Sequence, residues 1–242
     1  MILTIYFIIL LYYAVGTAGI YVINRKKEPS VKRKAWIKHI NFFIIANIVF
    51  FSIAFNPIFF RAITILIIIR GFYEIFKLYH DSGFNHRKFF LSSVTLFALL
   101  SAGFYFFSMM DKGLILFSFL IISIFDGFSQ ISGQLIGRKK LIPKTSPDKT
   151  VEGFIGGTLI ALFSAFVFKN LINDSSFEPL LVAGFVVIFS FAGDTVKSIV
   201  KRKYNTKDFS NLIPGHGGFL DRFDSLIATG AGLSFLSLFI NL

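Results

Sequence analysis

The sequence predicts an all-α polytopic integral membrane protein with about eight transmembrane helices and both termini outside the cytoplasm. Three observations carry that prediction. Hydrophobic residues fill 55% of the 242 positions and charged residues only 16%, against roughly a quarter charged in an ordinary soluble domain. Apolar runs close to the ~20 residues that cross a bilayer recur eight times along the chain. Basic residues collect in alternate connections between those runs, the pattern of the positive-inside rule. Together with a mean hydropathy of +0.72, these features exclude a soluble globular enzyme and a disordered chain.

The eight runs are roughly 2–23, 38–55, 58–78, 89–108, 113–135, 152–171, 179–200 and 221–241. They take up most of the chain and leave no room for a soluble domain. The first has no positive n-region and is followed by Arg and Lys, so it reads as a retained helix and not as a cleaved signal peptide. The third carries Arg61, Arg70 and Glu74 within it. The fifth ends in a stretch with Asp126, Gly127, Gly133 and Gly137. Gly133 and Gly137, four apart, form a small-xxx-small face for close helix contact. The sixth starts after Thr150, which is either an ordinary cap followed by Glu152 in the first turn or part of an anion site at a helix N-terminus; both can hold. The seventh contains Asp194 and runs into Lys197, Lys201 and Arg202, and the eighth opens on Asp221, Arg222 and Asp224.

The formal net charge is +12, which in a soluble domain would point to nucleic acid. Here its location is more informative. The connections around 24–38, 77–88, 138–149 and 197–222 hold seven, three, five and six Lys or Arg, 21 in all. The intervening connections hold Lys112 and Lys169. The basic connections are therefore expected on the cytoplasmic side. The chain has no Cys, which excludes disulfides, thiolate metal sites and Cys nucleophiles.

A carboxylate within a span usually faces the bundle interior or a wet cavity. On this topology Asp126, Glu152, Asp194, Asp221 and Asp224 all fall in the cytoplasmic half or at its edge. Each alone could simply reach interfacial water; five beside four basic connections point to a shared polar site. Asp221 and Asp224 are three apart and share a helix face. The Gly215-His216-Gly217-Gly218 loop lets backbone come close to a ligand. Acids bracketing a cationic loop suit a divalent metal held between carboxylates and substrate phosphates, with Lys201, Arg202 and Arg222 able to hold phosphate oxygens. The plainer alternative is a solvated basic loop with Arg222 paired to Asp221 or Asp224.

The stretch from Ser198 to Asp224, with Lys201-Arg202, Lys207-Asp208, Pro214, His216-Gly217-Gly218 and Asp221-Arg222-Phe223-Asp224, resembles the C-terminal signature of phosphatidate cytidylyltransferases (CDP-diacylglycerol synthases). Ser146-Pro-Asp-Lys149-Thr150-x-Glu152-Gly153-x-x-Gly156-Gly157 is similar to a second motif of that family. Asp126-x-x-Ser129-x-x-x-Gly133-x-x-x-Gly137-Arg138 resembles a third, with Gln130 where Tyr is usual. The resemblance covers about 120–224; upstream it is carried only by Tyr73-Glu74. It implies one continuous membrane domain, with 1–110 as scaffold and 111–242 as the catalytic region, and a catalytic cavity open to the cytoplasmic side. The implied reaction is CTP + phosphatidate → CDP-diacylglycerol + pyrophosphate with Mg²⁺, and room for a second, monovalent or divalent, ion.

By resemblance, Asp194, Asp221 and Asp224 are the expected metal ligands and should converge although 27 residues separate the first two. Ser146, Lys149 and Thr150 are expected to hold CTP phosphates, and Asp126, Gly217 and Gly218 to line the substrate site. Lys201, Arg202, His216 and Arg222 are expected to position phosphatidate or pyrophosphate. The expected partners are the two substrates and membrane lipid, with no nucleic acid; a homodimer is allowed for. The expected location is the bacterial cytoplasmic (inner) membrane. Two other readings stand beside this one. A CTP-dependent polyprenol kinase would transfer the γ-phosphoryl to a lipid alcohol and would need a base for the hydroxyl. A transporter would place its charges near the midplane and often show repeated halves, and no repeat is visible here.

Overall fold

The computed structural model describes residues 2–172, 179–210, 212 and 217–239. Among the described residues the chain forms eight long helices: α1 (Ile2–Asn24), α2 (Pro29–Phe55), α3 (Pro57–Asp81), α4 (Arg87–Phe107), α5 (Lys112–Ile136), α6 (Val151–Phe168), α7 (Pro179–Lys203) and α8 (Leu220–Ser237). Each coincides with one of the eight apolar runs. The largest difference is α2, which starts nine residues early, because Pro29 suits a first helical turn and the basic 29–38 segment continues the helix beyond the apolar run. A short 3₁₀ turn, Lys169–Leu171, extends α6.

The chain is an all-α polytopic membrane protein. By length and composition α1, α2, α4, α5, α6 with its 3₁₀ turn, and α7 are apolar enough to cross a membrane. α3 and α8 fall short of that apolarity. α3 carries Arg61, Arg70, Glu74, Lys77 and Asp81, and α8 carries Asp221, Arg222 and Asp224. Glu74 and Asp221 are almost wholly buried, so charges that lower these helices' hydropathy are used inside the bundle.

Two helices form the centre. The first half of α5 is apolar all round, and Leu114 to Phe125 is buried on nearly every face, as expected of a helix surrounded by others. α8 is rich in Ser, Thr, Ala and Gly between Ser225 and Ser234 and is buried along most of its length, since small side chains let neighbouring backbones approach. It packs chiefly against α4 and α7, and α5 packs chiefly against α6. The α5–α6 seam uses the predicted glycine face: a Cβ on Gly153 would meet Gly133 Cα at 3.1 Å and Ser129 O at 2.7 Å. The outer surface is apolar, with Phe7, Leu99, Phe163 and Phe235 exposed.

The connection after α5 is not a plain loop. β1 (Lys140–Ile142) and β2 (Ser146–Thr150) pair antiparallel and deliver Thr150 directly to the start of α6. This hairpin escapes a hydropathy reading because its strands are short and polar. The basic connections gather at one end of the bundle. Arg202 Nε donates to Thr145 O in the hairpin at 3.1 Å. The Tyr204 ring meets those of His86 and Phe89. Lys38 lies within electrostatic reach of Asp148, Lys207 and Asp208. At the other end, Lys112 Nζ donates to Ala54 O and Asp111 caps α5 by accepting from Leu114 N at 3.1 Å.

Candidate active site

Asp194, Lys197 and Lys201 are spaced three and four apart on α7 and share one face. That face meets α8 closely because residue 193 is glycine: a Cβ there would lie 2.7 Å from Asp224 O. The approach brings Asp194 and Asp224 onto one ammonium. Lys197 Nζ is 2.5 Å from Asp194 Oδ1 and 2.9 Å from Asp224 Oδ2. The second Asp194 oxygen is 2.5 Å from Lys149 Nζ, which also sits 4.4 Å from the centre of the Phe191 ring. Behind them Asp126 of α5 accepts from Ser190 Oγ at 3.3 Å. Charges withdrawn from water are tolerable only when paired, and here each of these lysines and acids has an opposite charge or a donor against it.

The second grouping is at the start of α8. Asp221 Oδ1 is 2.6 Å from Lys201 Nζ. Its Oδ2 accepts from Phe209 N at 2.9 Å and Gly218 N at 3.0 Å. Glu74 reaches the same turn from α3: Oε1 accepts from Ser210 Oγ at 2.7 Å and Phe219 N at 2.9 Å, and Oε2 from Leu220 N at 2.9 Å. The first N–H groups of a helix have no intrahelical acceptor, and a carboxylate beside them also meets the favourable end of the helix dipole. Two buried acids thus close the N-terminus of α8. Gly217 has φ +79°, and a Cβ on Gly218 would lie 2.7 Å from Glu74 Cδ, so this turn accepts only glycine.

These positions refine the residue assignments. Asp126, Lys149, Asp194 and Asp224 come together, and Lys197 joins them to the Asp221 grouping by donating to Asp221 O at 3.5 Å. Arg222 is within charge reach of Asp126, Asp221 and Asp224. Arg202 points elsewhere: it donates to Thr145 O and, through Nη1, to Thr206 O at 3.3 Å, and it is exposed. Thr150 is buried and its hydroxyl caps α6 by accepting from Gly153 N at 3.1 Å. Ser146 lies in β2 opposite Ile142. Gly217 and Gly218 bring backbone close to the protein's own carboxylates, Asp221 and Glu74, where the sequence suggested a ligand. His216 lies outside the described residues.

Among the described residues no three acids or imidazoles form one metal-ligand group. Asp221 has one oxygen on Lys201 and the other on two backbone N–H groups, so the three-carboxylate arrangement is not assembled. Asp194 and Asp224 do fit a cation, since one ammonium already touches both. Asp224 Oδ2 is buried and has that ion pair but no hydrogen bond of regular geometry, which leaves it lone-pair capacity for a metal.

The model of the cytidylyltransferase family matches residues 110–240, more than half of the chain. The chain belongs to the cytidylyltransferase family. It is similar to the phosphatidate cytidylyltransferase of Haemophilus influenzae, with 39% identity over 133 residues, 52% of this chain and 46% of that protein. It is 41% identical to the Bacillus subtilis phosphatidate cytidylyltransferase over 124 residues, 50% of this chain and 46% of that one. It is 41% identical to the Staphylococcus haemolyticus phosphatidate cytidylyltransferase over 150 residues, 60% of this chain and 56% of that one. The matches span about half the length of these curated relatives.

The cytidylyltransferase match begins where α5 begins and takes in both groupings except Glu74. Two residues of the site, Glu74 and Lys197, have no role that the sequence motifs indicate. Glu74 was visible as a lone acid in an apolar run, but nothing local shows that α3 reaches the start of α8. Lys197 belongs in sequence to the basic connection; the signal of its role is the three-residue spacing from Asp194.

Proposed function

We propose that this cytidylyltransferase-family chain transfers CMP from CTP to phosphatidate, giving CDP-diacylglycerol and pyrophosphate. The observation that carries the reading is the junction of a charged cluster with an apolar groove. A groove of about 980 Å³ between α4, α7 and α8 is lined by Leu96, Leu100, Phe106, Phe189 and Ile227, and it reaches Lys197 and Asp224. A lipid phosphate can meet the cations there while its chains stay in apolar surroundings. The relatives' name, phosphatidate cytidylyltransferase, supports the same reading.

An oxygen of the lipid phosphate forms a bond to the α-phosphorus of CTP, and the bond from that phosphorus to the bridging oxygen breaks, so that pyrophosphate leaves with the electron pair. A phosphate monoester is largely ionised near neutral pH, so the attack needs no strong base. The difficulty is bringing two anions together, and fixed cations in a poorly hydrated site offset it. Lys149, on the hairpin at the loop end of the bundle, receives the triphosphate. Lys197 and Arg222 face the lipid phosphate. Asp194 and Asp224 hold and orient the lysines and would hold Mg²⁺, which supplies charge neutralisation at the transferring phosphoryl group. Lys201 and Asp221 fix the start of α8, to which Glu74 of the otherwise scaffold-like N-terminal half contributes.

The eight helices span the cytoplasmic membrane with both termini outside. The loop end, which carries most of the Lys and Arg, lies on the cytoplasmic side, where CTP is available. The test is incubation of the purified protein with labelled CTP, phosphatidate and Mg²⁺. Labelled CDP-diacylglycerol and released pyrophosphate are expected. No labelled lipid, or transfer of the γ-phosphoryl alone, would reject the reading.

A further inference from the structure

Lys197 sits where the Asp194–Asp224 pair would hold an ion. Its ammonium contacts a carboxylate oxygen of each, at 2.5 and 2.9 Å, and its side chain is only 13% exposed. Asp194 is further neutralised by Lys149 at 2.5 Å, whereas Asp224 Oδ2 has no regular hydrogen bond and its one ion pair is to Lys197, with the charge of Arg222 in reach. With Asp126 and Arg222 beside them, three carboxylates (Asp126, Asp194, Asp224) face three cations (Lys149, Lys197, Arg222), so the set is electrically closed. A divalent ion added to that set without displacing anything would stand against a full positive charge in a poorly screened place, which is strongly repulsive.

We propose that Lys197 is a resident cation, and that a divalent ion reaches Asp194 and Asp224 only by exchanging with its ammonium. The exchange conserves the pairing of both acids. It also has a destination, because Lys197 lines the apolar groove as well as the acid cluster. A displaced ammonium can turn to an anion at the groove's polar end. Ion uptake is thereby coupled to presenting a cation toward the groove. The exchange itself rests on geometry alone; only the identity of that anion, a lipid phosphate, rests on the reading given above.

The experiment is Mn²⁺ binding to the purified, chelator-treated protein in an uncharged detergent, with free Mn²⁺ followed by electron paramagnetic resonance and no nucleotide present. Lys197→Met, which keeps length and removes charge, should bind one Mn²⁺ at least about tenfold more tightly than the unsubstituted protein. Lys197→Arg should not. The gain should vanish in Lys197→Met combined with Asp194→Asn. Equal affinity in the unsubstituted and Met proteins, or a gain that persists without Asp194, would overturn the proposal. A measurement on the unsubstituted protein covers the case in which the Met variant does not fold: reductive dimethylation of Lys197, read by mass spectrometry, should rise several-fold when Mn²⁺ is added. Labelling that stays constant across saturating Mn²⁺ would equally overturn it. None of these readouts requires transferase activity, so they fail or succeed separately from the assay for CDP-diacylglycerol.

Discussion

Asp221 and Asp224 are one helical turn apart, yet their surroundings differ in kind. Asp221 is enclosed by Lys201, two backbone N–H groups and a glycine turn that admits no side chain. Asp224 and its partner Asp194 face a mobile type of group, a lysine ammonium, at the edge of a groove. The enclosed acid has one oxygen committed to two backbone N–H groups that no other cation can replace. The other two acids keep contacts that another cation can replace. A shared helix face therefore does not imply a shared role: one turn of α8 secures the fold, and the next can take part in binding.

The sharpest way to break that distinction is Asp194→Asn. It removes the charge that orders Lys149 and Lys197 while leaving the turn at the start of α8 intact. Turnover should fall by about two to three orders of magnitude, the scale for losing a preorganised charge in a transferase site. The melting temperature should fall less than for Asp221→Asn, because Lys197 keeps Asp224 at 2.9 Å and Lys149 is the more exposed of the two lysines, 21% against 13%. Steady-state kinetics beside thermal unfolding in detergent decides it; a loss of melting temperature as large as that of Asp221→Asn would place Asp194 with Asp221.

Asp221→Asn should act the other way. It leaves the Lys201 ammonium, 12% exposed, without its carboxylate, and it turns an acceptor of two N–H bonds into a group with one good acceptor. Breaking one side of a buried pair costs about 3–5 kcal/mol, so the variant should unfold at clearly lower temperature and lose activity in proportion. Full stability with abolished turnover would instead return Asp221 to the metal-binding role that the sequence resemblance implied.

These two residues mark what the sequence could and could not disclose. The eight helices were legible because hydropathy over about 20 residues is set by the solvent, and the alternate basic connections marked the loops that gather at one end of the bundle. The acids were legible as misfits in apolar runs. Their partners were not. Whether Asp221 faces a metal or Lys201 depends on how α7 crosses α8, and that depends on Gly193. Glu74 reaches Phe219 and Leu220 across 145 and 146 residues, a contact that no spacing rule contains. The hairpin at 140–150 was missed because two short polar strands resemble a loop.

Lys149→Ala probes the water-facing side of the cation-sharing grouping. It removes one charge-assisted contact, worth about 1.5–3 kcal/mol, or roughly ten- to a hundred-fold. The apparent KM for CTP should rise while that for phosphatidate stays within about twofold. Titrating each substrate at saturation of the other separates the two; the reverse pattern would exchange the assignments of Lys149 and Lys197.

Glu74→Gln tests the enclosed grouping from outside the family-matched region. Both carboxylate oxygens accept hydrogen bonds, and an amide can replace only one of them, so one N–H at the start of α8 loses its acceptor. The loss of a cap costs about 1 kcal/mol, so a drop of a few degrees in melting temperature is expected, with activity reduced several-fold. Glu74→Ala should cost more on both measures. Identical behaviour of Gln and Glu at this position would mean that the α8 N-terminus does not need a charged cap.

The smallest effect is expected at Arg202, next to Lys201 in the chain and equal to it in the sequence signature. The structure separates the pair. Lys201 turns inward to Asp221, whereas the exposed Arg202 donates to two backbone carbonyls, of Thr145 and Thr206. Carbonyls exposed to water can exchange that guanidinium for solvent at little cost. Arg202→Ala should therefore leave kcat and both KM values within about twofold, while Lys201→Ala lowers both stability and turnover. Parallel kinetics and melting curves of the two variants make the test. A tenfold or larger rise in the phosphatidate KM for Arg202→Ala would show that the guanidinium leaves the hairpin when substrate arrives. The 140–150 hairpin would then belong to the binding machinery, and the distinction between a fixed and an exchangeable grouping would have to include it.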